Sequence, residues 1–235
     1  MVEPRVFDDE IAVAEAAREH FRAAFLDAVS DRGVFTVALA GGSSPLALYR
    51  RIALDHDLPW NRAKIFFSDE RYVSPDAPAS NFGQAREALL RHVDSQVFPV
   101  PVDAATVQDS ALRYEQQVID VLGERPRFDW ILLGMGSDGH TASLFPHRSA
   151  LQSCQWVDHT PPGVLPPPVD RITFTFRLIN NARFVVVLAT GSAKSVPLRQ
   201  WMEGSSAIDE LPMRGLAPTA GELIVLADRA AMGGS

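Results

Sequence analysis

The sequence predicts an α/β fold built on a largely parallel sheet with helices on both faces. Two observations carry this expectation. Short segments that are almost wholly apolar, VFTVALA (34–40), KIFF (64–67), WILL (130–133) and FVVVLAT (184–190), alternate with stretches of helical periodicity. Strands covered on both faces read this way because neither side meets water. Each segment is also followed at once by a loop rich in glycine, serine or charge, at the edge where an open parallel sheet binds its ligands. The expected organisation is one domain over residues 1–235, with a small lobe near 140–170.

In chain order, apolar residues at 11, 14, 17, 21, 25 and 28 mark one face of a first helix, and Gly33 marks its stop. The strand at 34–40 follows, then a helix from Leu46 to about Leu54, then the strand at 64–67. NFGQAREALLRHV (81–93) reads as a helix. VFPVPV (97–102) reads as a short strand that its prolines confine to a sheet edge, since proline has no N–H to offer a neighbour. Val107, Ala111, Tyr114, Val118 and Val121 mark the next helix, before a strand at 129–133. Strands at 155–158, 171–176 and 184–190, a helix around 192–202, and LIVLA (223–227) complete the series. The proline cluster TPPGVLPPP (160–168) reads as a wrapped loop, because the alternation resumes directly after it.

Composition narrows the function. A chain of 235 residues can bury roughly 70–75% of the surface its unfolded form exposes, so it needs no disulfide or metal for stability. The formal charge of −7 argues against nucleic acid or an anionic membrane as the main partner. No apolar run approaches the ~18 residues of a membrane span. MVEPRVFDDE has no basic head before an apolar stretch, so no secretory signal is expected. Cys154 is the single cysteine, which excludes an internal disulfide and fits a cytoplasmic protein. A monomer or small homo-oligomer is expected. Lys64 and Lys194 are the only lysines among 22 basic residues.

Four loops follow strands and could share one site: GGSSP, SDER, GMGSDGH and GSAK. In AGGSSP (40–45), Gly41 and Gly42 precede Ser43, Ser44 and a proline suited to a first helical turn, where free N–H groups hold phosphate. An ordinary serine-capped turn has the same composition. Lys194 suggests a compact charge meeting an anion, although a solvated helix-start lysine would look alike. Arg171, at the start of a strand, suits structural pairing and anion binding equally. Asp69 and Arg71 close the strand at 64–67, where charges are most often merely solvated, and Asn81 opens the next helix.

GMGSDGHTASLFP (134–146) is the most informative stretch. Gly134, Gly136 and Gly139 have the spacing of a dinucleotide loop, but Pro146 would break the required helix and Asp138 would face the pyrophosphate. Walker A and GxSxG motifs are absent. His140, His147, Cys154 and His159 lack a short ligand pair such as HxxxH, so no metal is predicted. What remains is a glycine loop that brings backbone close to a ligand and presents His140. Imidazole is the natural general base near neutral pH.

Taken together, these residues resemble the 6-phosphogluconolactonase family. The matching motifs are AGGSSP (40–45), SDERYV with SN (68–73 and 80–81), LGMGSDGHTASLFP (133–146), DRITFT (170–175) and TGSAK (190–194). They occur in the family's order over most of the chain. The family commonly has SGGSTP at the first motif; Ser44 keeps the hydroxyl, whereas Ala40 loses one and is not counted as a ligand. The resemblance implies a modified Rossmann-like fold shared with sugar-phosphate isomerases and deaminases. It also implies hydrolysis of 6-phospho-D-glucono-1,5-lactone to 6-phosphogluconate, in the oxidative pentose phosphate pathway, without cofactor or metal. On that basis His140 is the expected base. Asp69 and Asp138 would orient it or hold substrate hydroxyls. Ser43, Ser44, Arg171 and Lys194 would share phosphate and sugar contacts, Gly41 and Gly42 would give backbone N–H groups, and Gly136, Arg71 and Asn81 would complete the site. Two alternatives stand beside it. A glucosamine-6-phosphate deaminase carries DGHIAFNEP, with a ring-opening glutamate where this chain has Phe145. A non-catalytic sugar-phosphate sensor usually adds a DNA-binding module, for which this chain leaves no segment.

Overall fold

The computed structural model describes residues 3–163, 167–204 and 206–234. Residues 164–166, within the proline-rich loop read at 160–168, lie outside the described residues. A three-residue strand, β1 (Arg5–Phe7), precedes α1 (Glu10–Arg32). Asp9 caps α1 by accepting the Ala12 N–H, and Gly33 ends it in the left-handed region at φ 74°. Then follow β2 (Phe35–Leu39), α2 (Ser43–Ile52), β3 (Ala63–Phe67), β4 (Asp69–Arg71), α3 (Asn81–Ala88), β5 (Gln96–Val97), α4 (Val107–Leu122) and β6 (Trp130–Gly134). The remainder comprises β7 (Val157–Thr160), β8 (Arg171–Phe174), α5 (Phe176–Ile179), β9 (Phe184–Ala189), α6 (Ser195–Glu203) and β10 (Glu222–Asp228).

Seven strands pair in parallel in the order β1-β10-β9-β6-β2-β3-β5. β4, β8 and β7 form a separate antiparallel sheet. Side-chain alternation shows what covers the large sheet. Phe35 packs against Phe21 and Phe25 of α1, and Trp130, on the same face as Val37 by register, also meets Phe21. Phe66 is registered with Ala38 and so points the other way. It meets Tyr114 of α4 and Phe128, which in turn reach Phe174 of β8. Thus α1 covers one face, while α4 and the antiparallel sheet cover the other. Each of these buried aromatic rings contributes on the order of 1.5–3 kcal/mol relative to exposure.

Local departures from the sequence expectation have local causes. The ladder at 97–102 shrinks to Gln96–Val97, because Pro99 and Pro101 cannot donate to β3. The helix expected over 81–93 ends at Ala88; Leu89 leaves helical geometry at φ −139° and a 3-10 turn covers Leu90–His92. The segment read as a strand over 171–176 stops at Phe174, and Phe176 begins a helical turn instead.

Candidate active site

Because β2, β3, β6 and β9 run parallel, their C-terminal ends deliver four loops to one edge of the sheet. There they enclose a cleft of about 200 Å³. Gly41 and Gly42, Asp69 and Arg71, Asn81, Gly136, His140, Arg171 and Lys194 all line it, joined by Met135, Ala142 and Phe145. Asp138 is not part of the lining but is paired with His140. Ser43 and Ser44 do not line the cleft. Ser43 is exposed as the first residue of α2, and Ser44 Oγ shares a 2.5 Å hydrogen bond with Thr190 Oγ1. No side chain caps the start of α2, so the first-turn N–H groups remain available there.

The glycine loop is closed on itself. The Gly136 N–H donates to the His140 carbonyl at 2.8 Å, and the Thr141 hydroxyl donates to the Gly134 carbonyl at 2.9 Å. These bonds fix His140 against the end of β6. Its Nδ1–H donates to Asp138 Oδ1 at 2.5 Å, which leaves Nε2 as the free base atom of the ring. Burial pushes the Asp138 carboxyl up, but the hydrogen bonds and charge of His140 outweigh it, and the group sits below the usual carboxylate range. Gly136 is required by contact: an added Cβ would lie 2.1 Å from His140 Nδ1 and 2.5 Å from Asp138 Oδ1. Ala142 holds a positive φ of 48° at the cleft wall, a conformation costing a non-glycine residue roughly 1–2 kcal/mol.

Opposite His140, β4 and β8 place Arg71 directly across from Arg171 in antiparallel register. Like charges at such a pair repel. Arg171 is 5% exposed, and burial is the main cause holding its guanidinium below the usual range. Its Cζ lies 5.6 Å from the centre of the Phe145 ring, and the same ring packs 4.6 Å from His140. Lys194 is half-buried, and burial likewise lowers its pKa, with Asp138 pulling the other way. Among the described residues, none of these three cations has an ion-pair partner within 4 Å. Nε of Arg71, Nε of Arg171 and Oδ1 of Asn81 are buried without a hydrogen-bond partner among the described residues.

Asp69, nearly fully buried, accepts the Ser143 hydroxyl at 2.6 Å and the Asn81 amide at 3.2 Å. Ser143 and the loop anchor Asp228 escaped the sequence analysis. Asp228 lies at the end of β10 and accepts the Gly191 N–H at 3.0 and 3.1 Å. Nothing in TASLFP or LIVLAD distinguishes such residues, because their partners are brought in only by tertiary contacts. Among the described residues, no three His, Cys, Asp or Glu side chains are grouped to hold a metal ion, and no helix is long and apolar enough to cross a membrane.

A sequence profile described as glucosamine-6-phosphate isomerases/6-phosphogluconolactonase matches residues 8–225. The chain belongs to this family. Within the family, a Synechocystis protein named 6-phosphogluconolactonase is 41% identical over 211 residues, covering 87% of this chain and 86% of its own. A Nostoc protein of the same name is also 41% identical, over 217 residues, covering 87% and 86% of the two chains. The crystal structure of 6-phosphogluconolactonase from Leishmania guyanensis matches with a TM-score of 0.88 at 32% identity, over 98% of both chains. The family resemblance carried by five short motifs therefore extends through the whole fold.

Proposed function

We propose that the chain hydrolyses 6-phospho-D-glucono-1,5-lactone to 6-phosphogluconate with His140 as general base. One observation carries this: a cleft that joins the His140–Asp138 pair to three cations, Arg71, Arg171 and Lys194, that lack ion-pair partners among the described residues. The cations suit a phosphate, and the imidazole suits the activation of water. The sequence kinship to proteins named 6-phosphogluconolactonase supports the same substrate. His140 Nε2 takes a proton from water as the water oxygen bonds to the lactone carbonyl carbon. The tetrahedral intermediate then collapses, the ring C–O bond breaks, and the imidazolium returns the proton to the departing ring oxygen. Asp138 holds the tautomer. Asp69 and Asn81 hold sugar hydroxyls, and Gly41, Gly42 and the start of α2 contribute backbone N–H groups. The cleft draws on segments from residue 41 to residue 194, so we treat residues 1–235 as one domain. Its phosphorylated substrate and single cysteine suit the cytoplasm.

Deamination of glucosamine 6-phosphate is the weaker reading. Phe145 stands where the deaminase stretch has a glutamate, and a phenyl ring packed at a tilt against His140 cannot transfer a proton. The deciding experiment is hydrolysis of freshly generated lactone by wild type and His140→Ala, with the spontaneous rate subtracted. The variant should lose about 10²–10⁴ in kcat with little change in KM. Equal turnover by both proteins would remove His140 from the mechanism. Wild-type binding without turnover would point to a sensor.

A further inference from the structure

Beyond the groups that line the cleft, we infer that Glu70 is the positioning residue that sets the substrate-binding wall: its buried carboxylate locks the start of α3 to β4. Alternation along β4 turns Asp69 and Arg71 toward the cleft and Glu70 away from it, toward α3. Glu70 is 2% exposed and does not line the cleft. Its Oε1 accepts the N–H groups of Arg71 and Asn81, each at 2.7 Å. Its Oε2 accepts the Phe82 N–H at 2.7 Å and the Ser80 hydroxyl at 3.2 Å. All four neighbours are donors, so the geometry suits an ionised carboxylate and no neutral substitute. Three of them belong to the cap and first turn of α3, where a negative charge also meets the positive end of the helix.

The consequence reaches the cleft through Asn81. With its backbone held by Glu70, Asn81 sends its amide to the Asp69 carbonyl at 2.9 Å and to the Asp69 carboxylate at 3.2 Å. Its Oδ1 lies against Gly41, where an added Cβ would come within 1.9 Å of it. One carboxylate thus fixes the relative placement of Asp69, Arg71 and Asn81, while none of its four hydrogen bonds goes to His140 or Asp138. Burial pushes the Glu70 carboxyl up, and the three backbone N–H groups oppose it.

Because this inference rests on the lactonase reading, its test separates the two. Steady-state hydrolysis of the lactone by Glu70→Gln should show KM raised about tenfold or more, with kcat within about threefold of wild type. Glu70→Asp, which keeps the charge, should recover part of the loss. A merely structural role would lower the amount of active enzyme, and so kcat, at unchanged KM. That outcome, or two unchanged constants, overturns the proposal. Should Glu70→Gln fail to fold, Ser80→Ala removes one of the four donors and should raise KM about two- to threefold; an unchanged KM there overturns it equally. If wild type itself fails to turn over lactone, the functional reading falls. Calorimetric titration with 6-phosphogluconate then tests Glu70 without turnover, with weaker binding by Glu70→Gln supporting the clamp and equal binding refuting it.

Discussion

Gly136 and Lys194 act at the residue scale in opposite senses, one by leaving space and one by filling it with charge. In Gly136→Ala the new methyl group must displace the imidazole or its aspartate partner. Lactone turnover should drop by about the factor expected for loss of the base, roughly 10²–10⁴, while circular dichroism remains that of a folded chain. Near-normal turnover would mean that the ring can be moved without consequence. Lys194 carries a pH signature. Burial lowers its pKa from that of an ordinary lysine, so rising pH strips its charge earlier than it would from an exposed side chain, and phosphate binding weakens with it. Calorimetric titration with 6-phosphogluconate from pH 7 to pH 9.5 should show affinity falling sooner in wild type than in Lys194→Arg, whose guanidinium stays charged. Identical profiles would take Lys194 out of the phosphate site. Most of the cleft was legible residue by residue because glycine, histidine and the rare lysine are conspicuous at strand ends. Ser43 and Ser44 stand outside the cleft lining. Their hydroxyls matched a phosphate loop by type, but Ser44 turns to Thr190, a partner 146 positions away that local sequence cannot reveal.

Among the elements, the loop after β9 depends on a neighbouring strand for its shape. Asp228 at the end of β10 receives the Gly191 N–H and, at 2.7 Å, the Ala231 N–H. Asp228 is 5% exposed, and Asp228→Ala would take the acceptor from both donors, at about 1–3 kcal/mol for the buried Ala231 N–H. Urea unfolding should report that loss, and KM should rise because Lys194 lies three residues beyond Gly191. A destabilised variant with unchanged KM would mean that the loop holds its shape unaided. Elements with a long apolar run were readable at once. β1 and β4 were not, since three residues carry no period. β4 in addition is spelled Asp-Glu-Arg, a sequence that looks solvated until its partner β8, some 100 residues later, supplies the ladder.

For the molecule as a whole, a partly buried histidine packed against the large core couples stability to pH. His20 of α1 accepts the Trp130 indole N–H on Nδ1 at 3.0 Å and packs edge-on to Phe184. Burial lowers its pKa, so the unfolded chain takes up a proton on this residue before the native one does. Its contribution to stability is therefore complete above about pH 6.5, the unfolded value, and declines as pH falls through that value toward the lower folded one. Between pH 7.5 and pH 5.5, wild type should lose more of its urea midpoint than His20→Asn. Equal losses would exclude His20 as the source. Strand composition announced the parallel sheet, and the position of its loops announced the cleft, but strand order was not legible, because it depends on long-range pairing. That order has a bearing on synthesis. β1 leaves the ribosome long before its partner β10, which also fills the gap beside β9. A premature stop shortly before residue 222 would therefore remove an interior strand. The truncated product would have two unsatisfied backbone edges and a stranded leading segment, which is the kind of defect that chaperones and proteases recognise.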